Sequence, residues 1–208
     1  MKKAWLRLWP VLVMALIAGC DKGGSKAVTP SATPAGADTG LREVGAVVRF
    51  VLAADVGALL ALTSYVSIEC TTQLGLGGPP LCSNLGVPPG TVVETLPVTG
   101  SESEYRPKDR VPEYYRRWLY DFGLEFGGVL KPERHPRAFT IDSPWPVPDY
   151  AVFFRPTIFP PELGAPDAGL AVAFFLLDGR IIAVQGLGAG QRTLPAPDDP
   201  RWLIPPVR

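Results

Sequence analysis

Apolar residues recur at helical spacing in three segments of the chain. The first two cover residues 41–51 and 56–62, and the third is the aromatic-rich segment 109–122. Each predicts an amphipathic helix. Asp55 stands directly before the second segment. Because its carboxylate can accept the free amides of the next turn, we expect Asp55 to N-cap that helix. Gly123 is expected to end the third helix.

Runs of β-branched and aromatic residues predict that the rest of the domain is mainly β-sheet. The strands are expected at 91–98, 124–131, 150–158, 170–177 and 180–187. Asp178-Gly179 separates the last two runs, and an Asp-Gly pair between apolar runs is a strong hairpin signal. The proline-rich segment 195–208 is expected to be extended and to pack on the surface of the domain.

Two of these strands carry apolar side chains at successive positions. They are the segments 150–154 and 171–175, whereas a strand that is covered on one side alternates apolar with polar residues. Each is therefore expected either at the centre of a sheet covered on both faces or along the wall of an apolar cavity. Ala151, Ala171 and Ala173 leave space beside the neighbouring rings, as a cavity requires. A tightly filled core is the alternative.

The order of the predicted elements indicates the fold class. Two helices, a short strand, a third helix and four antiparallel strands follow one another over residues 41–190. This order resembles the nuclear transport factor 2-like fold, a cone-shaped relative of the cystatin fold. The resemblance implies an α+β domain, in which two or three N-terminal helices pack on a curved antiparallel sheet and the third helix buries its aromatic face. The alternative is a mostly-β barrel.

The N-terminal segment indicates export. Basic residues precede the apolar stretch 8–18, and small residues stand directly before Cys20. The stretch has the length of a secretory signal and is shorter than the roughly 20 residues of a membrane span. It resembles the lipobox of bacterial lipoproteins, which implies that residues 1–19 are removed and that Cys20 carries acyl chains such as palmitate. Asp21 implies retention at the inner membrane in the diderm members of that family.

The lipobox resemblance divides the chain into four parts. These are a signal peptide (1–19), the lipidated cysteine with its linker (20–40), a single α+β domain (41–194) and the proline-rich tail (195–208). The linker is dominated by small residues and proline, which predicts a flexible tether. We therefore expect the protein on the extracytoplasmic face of a cell membrane, periplasmic or at the cell surface, with the lipid bilayer as its partner through Cys20. The segment 68–97 is also similar to a group of uncharacterised bacterial lipoproteins.

The charge balance limits the partners of the domain. The 20 acidic residues equal the 20 Lys and Arg residues in number, but three of the basic residues lie in the signal segment. The remainder is mildly acidic. A nucleic acid or an anionic lipid surface would require clustered Lys and Arg, so we expect no nucleic-acid partner.

The cysteine content predicts a disulfide. If Cys20 is lipidated, Cys70 and Cys82 remain, and two cysteines in an oxidising compartment usually form a disulfide. A redox-active or metal-binding pair is the alternative, although the spacing fits no common zinc pattern.

No catalytic sequence motif identifies a reaction. His135 is the only histidine and lies among charged residues before a proline, so we expect a solvated loop side chain. No cofactor or metal is predicted. The favoured function is a non-enzymatic domain that binds a small apolar ligand or an envelope protein. The alternative, implied by the isomerases and dehydratases of the resembling fold, is a lyase or isomerase with a cone-shaped apolar pocket. The candidate pocket residues are Asp55, Glu94, Tyr115, Trp118, Tyr120, Phe153 and Phe174.

Overall fold

The described part of the chain begins just after the predicted linker. A computed structural model describes residues 41–73, 75, 78–99, 104–135, 146–158, 171–186 and 194–206. The predicted signal segment, Cys20 and the linker up to residue 40 lie outside these described residues. Within them, no helix is both long enough and apolar enough to cross a membrane.

Two helices open the domain, as the apolar spacing predicts. Helix α1 spans Arg42–Leu52 and helix α2 spans Val56–Leu62. Asp55 caps α2, because its Oδ1 accepts a hydrogen bond of 2.9 Å from the Ala58 amide. This bond confirms the predicted N-cap. The four buried valines of α1 join Leu59 of α2 in the main core.

The third predicted helix consists of three successive turns of different pitch. A 3₁₀ turn, Lys108–Arg110, leads into helix α4, Val111–Arg116, and a π-helical turn, Arg117–Asp121, follows. The expectation of one regular helix is therefore wrong in the first and last turns. In the wider π turn two adjacent residues, Trp118 and Leu119, are both buried.

The aromatic face of this helical segment is buried against the sheet, as expected. Trp118 stacks on Phe122 with ring centroids 4.7 Å apart. Tyr115 packs against Phe174 at 6.0 Å. Gly123 follows with a positive φ of 51° and ends the segment, which is a conformation that glycine adopts without strain. The aromatic residues therefore anchor the helical segment to the main core.

The strands form one mixed, open sheet. The described strands are β1 Val66–Glu69, β2 Val92–Thr99, β3 Glu104–Pro107, β4 Leu124–Leu130, β5 Tyr150–Pro156, β6 Val172–Leu177, β7 Arg180–Gln185 and β8 Trp202–Ile204. Their order is β1-β2-β7-β6-β5-β4-β8, and β3 also pairs with β2. Neighbouring strands are antiparallel, except that β2 and β7 are parallel.

This topology confirms the α+β class and corrects two finer expectations. The described strands do not close into a barrel, so the barrel alternative is wrong. A purely antiparallel sheet is wrong as well, because β7 runs beside β2 in the same direction. The chain between these two strands contains α4 and four further strands, which is more than the dozen or so residues that a parallel connection needs.

The predicted hairpin is confirmed at the turn between β6 and β7. Asp178 and Gly179 have φ angles of 50° and 71°. Both lie in the left-handed region that a two-residue type I′ turn requires. The Asp178 amide also donates a hydrogen bond of 2.9 Å to the carboxylate of Asp149, which ties the turn to the start of β5.

Both faces of the sheet are covered, which explains why residues 150–154 of β5 and residues 172–175 of β6 are apolar at successive positions. Phe154 and Phe174 lie on the face that packs under the helices. Phe153 and Phe175 lie on the opposite face, together with four buried alanines and the partly buried Trp202. The two strands are therefore central strands of the sheet.

The C-terminal segment covers the face opposite the helices. The Lys131 amide donates a hydrogen bond of 3.0 Å to the Arg201 carbonyl, beside the β4–β8 pairing. The Trp202 ring lies 5.4 Å from the Phe153 ring, and its indole N–H donates a 2.7 Å bond to the Ala196 carbonyl. The segment expected to be extended thus contributes an edge strand and an aromatic contact.

The predicted disulfide is present. Cys70 and Cys82 are bonded, and their Cα atoms lie 5.1 Å apart, within the range that a disulfide can bridge. A short helix α3, Cys82–Leu85, starts at the second cysteine. The disulfide therefore joins the end of β1 to this helix and closes the loop between them.

His135 is buried, so the expectation of a solvated side chain is wrong. It exposes 1% of its surface, and the nearby Pro132 is buried too. The segment after β4 is held by the bond from Lys131 to the C-terminal strand region. It therefore packs against the domain instead of projecting into solvent.

Candidate functional site

The seven residues predicted for a pocket occupy three separate places. Tyr115, Trp118 and Phe174 lie together in the core beneath the helices. Phe153 lies on the opposite face of the sheet. The remaining three residues of the set, Asp55, Glu94 and Tyr120, are exposed. The structure therefore brings together the aromatic residues of one face and leaves the acidic residues at the surface.

Each of the three exposed residues has a contact of its own. Asp55 caps α2. Glu94 forms an ion pair of 2.6 Å with Lys108, whose ammonium group lies 5.0 Å from the ring centre of Tyr65. The hydroxyl group of Tyr120 donates a hydrogen bond of 3.2 Å to the Ala54 carbonyl. Asp55 and Glu94 therefore have structural contacts. Tyr120 also lines a surface cleft.

Tyr115 is the largest buried polar side chain of the helix face. Its hydroxyl lies 2.9 Å from the Thr63 hydroxyl, which itself donates to the Leu59 carbonyl at 2.8 Å. Because the single Thr63 proton is used there, Tyr115 is the donor of the shared bond. Burial raises the pKa of Tyr115 far above its usual value, although the bond to Thr63 opposes the rise. Tyr115 is therefore neutral, and its hydroxyl group is used in a structural hydrogen bond to Thr63.

No described carboxylate is buried. The buried polar residues of the described chain are Thr63, Thr95, Thr99 and His135, and no group of three or more metal-ligating side chains occurs among the described residues. The described residues therefore contain no buried acid of the kind that a lyase or isomerase pocket was expected to use.

The described residues form a charged cleft on the outer side of the helical segment. It has a volume of about 470 Å³, within the range of small-molecule sites. Four arginines, two tyrosines and two acidic residues line it, and we call it the arginine cleft. These residues are Arg106, Arg110, Glu113, Tyr114, Arg116, Arg117, Tyr120 and Asp121.

Strand β3 and the helical segment together position the arginines. Arg106 comes from β3, where its guanidinium lies 5.1 Å from the ring centre of Tyr114 and forms an ion pair with Glu104. Arg110 ends the 3₁₀ turn. Arg117 begins the π turn, with its guanidinium 5.9 Å from the ring centre of Phe122. π turns inside helices frequently occur at functional sites.

The inner wall of the cleft is formed by aromatic rings. Tyr114 contacts Trp118 edge to face, with centroids 5.8 Å apart. Both rings lie over Gly186 at the end of β7, where a Cβ atom would come within 2.9 Å of the indole and 3.0 Å of the phenol oxygen. The absent side chain therefore allows the helical segment to approach the sheet closely.

Several buried polar atoms around this wall lack hydrogen-bond partners among the described residues. They are the Tyr114 hydroxyl oxygen, Trp118 Nε1, Thr99 Oγ1 and Arg106 Nε. Burial raises the pKa of Tyr114, and the nearby Trp118 indole, Arg106 and Arg117 oppose the rise. Unpaired buried polar atoms are uncommon, and each requires an explanation. Their concentration beside the arginine cleft marks this region as different from the rest of the core.

A second, shallower cleft lies beside β2 and the 3₁₀ turn. Its volume is about 420 Å³, and Glu94 and Lys108 are among the residues that line it. These two side chains pair with each other. The charges in this cleft are therefore matched within the protein, unlike those of the arginine cleft.

The arginine cleft was not predicted from the sequence, apart from Tyr120. The net acidity of the domain argued against clustered positive charge, but four of the chain's arginines occur within residues 106–117. This local density of arginines was the feature of the sequence that could have indicated the cleft. It became a cluster in space only because β3 pairs with β2 beside the helical segment.

The arginine cleft has to be interpreted from its own geometry, because comparison with known proteins adds no functional assignment. No family model, curated protein or solved structure matches the chain.

Proposed function

We propose that the chain is a lipoprotein, anchored through Cys20 on the extracytoplasmic face of a cell membrane, whose domain binds a ligand without catalysing a reaction. The observation that carries the binding proposal is the arginine cleft. It is large enough for a small molecule, two of its arginines have no ion-pair partner among the described residues, and it lies beside buried polar atoms that lack partners there. Small-ligand sites combine a cavity of this size with a few convergent polar groups.

The Cys70–Cys82 disulfide supports the extracytoplasmic location. Disulfides persist in oxidising compartments and are rare in the cytosol of most cells. The pairing also leaves Cys20 as the single cysteine available for a lipid. The lipobox-like sequence before Cys20 lies outside the described residues, so its role rests on the sequence resemblance.

We further propose that the domain is a member of the nuclear transport factor 2-like fold. Two N-terminal helices, a helical segment across one face and a meander of β4, β5, β6 and β7 support this proposal. The apolar ligand and the envelope partner considered from the sequence remain predictions. The arginine cleft favours a polar ligand, because four of its lining residues are cationic.

The experiment compares the wild-type chain with Cys20→Ser in a bacterial host that processes lipoproteins. We expect the wild-type protein in the membrane fraction, with an intact mass that corresponds to loss of residues 1–19 and addition of acyl chains. Cys20→Ser is expected to lose the acyl mass and the membrane association. Ser25→Ala, a substitution in the same linker, is the control and should behave as wild type. An unmodified Cys20 in the wild-type protein would contradict the anchoring proposal.

A further inference from the structure

We propose that the arginine cleft binds a phosphate group carried by a larger organic molecule. This inference rests on the proposed function, since it names the ligand class of the site proposed there. The relevant chemistry is that of a phosphate monoester or diester, from either a soluble phosphoester or a phospholipid headgroup.

The available positive charge comes from two arginines. Arg106 and Arg110 already have carboxylate partners in Glu104 and Asp109, the second pair with a separation of 3.7 Å. Arg116 and Arg117 form no ion pair with any described residue. They follow each other at the junction of α4 and the π turn. Both guanidinium groups line the cleft and neither is held in an ion pair by a described carboxylate, so they are available to an external anion.

The acidic residues of the lining form no ion pair with Arg116 or Arg117. Glu113 and Asp121 contribute carboxylates to the cleft, yet neither forms an ion pair with a described residue. Apart from Arg106 and Arg110, which are paired with Glu104 and Asp109, the lining holds two arginines and two carboxylates. A bound oxyanion is attracted to Arg116 and Arg117 and repelled by Glu113. Removal of the arginine charges should therefore weaken binding, whereas removal of the Glu113 charge should strengthen it.

The type of cation favours phosphate. All four basic residues of the lining are arginines, and the guanidinium group presents parallel N–H donors that match two oxygens of one phosphate.

The size of the cleft indicates that the phosphate is part of a larger molecule. A volume of about 470 Å³ exceeds what a single phosphate fills, and the rings of Tyr114 and Tyr120 add apolar surface beside the arginines. An organic group attached to the phosphate can therefore pack against the tyrosines while the phosphate meets the guanidinium groups. Phenyl phosphate is a simple probe with both features.

The test is calorimetry of the full-length processed protein in detergent, titrated with inorganic phosphate, phenyl phosphate, dihexanoyl phosphatidylglycerol and dihexanoyl phosphatidylcholine at constant ionic strength. We expect saturable binding, tighter for phenyl phosphate than for inorganic phosphate. Binding of phenyl phosphate without the phosphatidylglycerol assigns a soluble phosphoester. Binding of the phosphatidylglycerol without phenyl phosphate or the phosphatidylcholine assigns an anionic headgroup. Both results support the proposal.

The variants distinguish binding in this cleft from nonspecific attraction of anions to positive charge elsewhere on the protein. The double variant Arg116→Gln, Arg117→Gln is expected to raise the Kd at least about tenfold, since each charged hydrogen bond contributes strongly. Substitution of the same pair by lysine should restore only part of the affinity, and Glu113→Gln should lower the Kd. Arg42→Gln, at an exposed arginine of α1, is the matched control and should bind as wild type.

Absence of binding for all four probes would overturn the phosphate proposal, and so would equal loss in the Arg42 control. Neither result affects the anchoring through Cys20, which is measured separately by mass. If the anchored protein binds none of the phosphate probes but is stabilised by a neutral compound, the proposed binding function stands and the phosphate assignment fails.

Discussion

Replacement of Gly186 by alanine tests how closely the helical segment packs on the sheet. Gly186 is buried at the end of β7, and its amide donates a 2.9 Å hydrogen bond to the Thr99 carbonyl. A Cβ atom at this position would lie 2.9 Å from the Trp118 indole and 3.0 Å from the Tyr114 hydroxyl oxygen. Both contacts are with rigid rings, so the rings or the backbone must move to admit one methyl group.

The expected change in the free energy of unfolding of Gly186→Ala follows from two opposing effects. Overpacking of a filled core destabilises a protein by about 1–3 kcal/mol. Alanine also restricts the unfolded chain relative to glycine, which stabilises the protein by about 0.4–1 kcal/mol. The φ angle of Gly186 is not in the left-handed region, so no backbone strain is added. We therefore expect a net destabilisation of about 1–2 kcal/mol.

The assay is urea unfolding of the wild-type protein and Gly186→Ala, followed by tryptophan fluorescence. Gly57→Ala is the matched control. Gly57 is exposed in α2, and a Cβ atom there would lie at an ordinary contact distance, 3.5 Å from an Asp55 carboxylate oxygen. This control should be neutral or stabilising by about 0.5 kcal/mol, because alanine is the better helix former. Equal or greater stability of Gly186→Ala would refute the close packing of Tyr114 and Trp118 on the sheet.

Three further results are expected. Tyr115→Phe should lower the free energy of unfolding by about 0.5–1.5 kcal/mol, because it removes the buried bond to a threonine hydroxyl that keeps its carbonyl partner; a neutral result in thermal unfolding would contradict that role. Joint replacement of Cys70 and Cys82 by serine should cost about 3 kcal/mol in urea unfolding, from the entropy of the released loop, and unchanged stability would count against it. The hydrogen bonds from Arg201 lower the pKa of Asp199 to about 2 from 3.8, so the stability from this pair is present above pH 3.8 and is lost as the pH falls toward 2. The stabilities of wild type and Asp199→Asn should therefore converge over that interval, and a difference independent of pH would exclude this linkage.

Local sequence chemistry was sufficient to predict features that depend on a few adjacent residues. Asp55 caps a helix because its carboxylate is within reach of the next turn. Asp178 and Gly179 form the hairpin turn because both adopt the left-handed conformation. The central position of β5 and β6 followed from apolar residues on both faces. In each of these cases the physical cause lies within one segment.

Features that depend on pairing between distant segments were not predictable in the same way. β1, β3 and β8 have three or four residues each, too few for a periodic pattern to identify them. The parallel pairing of β2 with β7 arises from the path of the whole chain. His135 is buried although its sequence neighbours are charged, so its burial could not be predicted from them.

The arginine cleft belongs to this second group. Its charges come from β3 and from the helical segment that follows β3 directly, but the pairing of β3 with the distant strand β2 could not be read from this segment alone. Net charge averages over the whole surface and therefore hides such a cluster. The aromatic candidates Tyr115 and Phe174 were instead explained by core packing against each other.

The most direct test of the arginine cleft as the ligand site is an NMR titration of the arginine Nε–Hε resonances with phenyl phosphate. We expect saturable shifts for Arg116 and Arg117, with a common Kd, and smaller shifts for Arg106. The Arg42 resonance, from an exposed arginine of α1, should not shift. Shifts that grow linearly and equally at all arginines, Arg42 included, would contradict a site in this cleft.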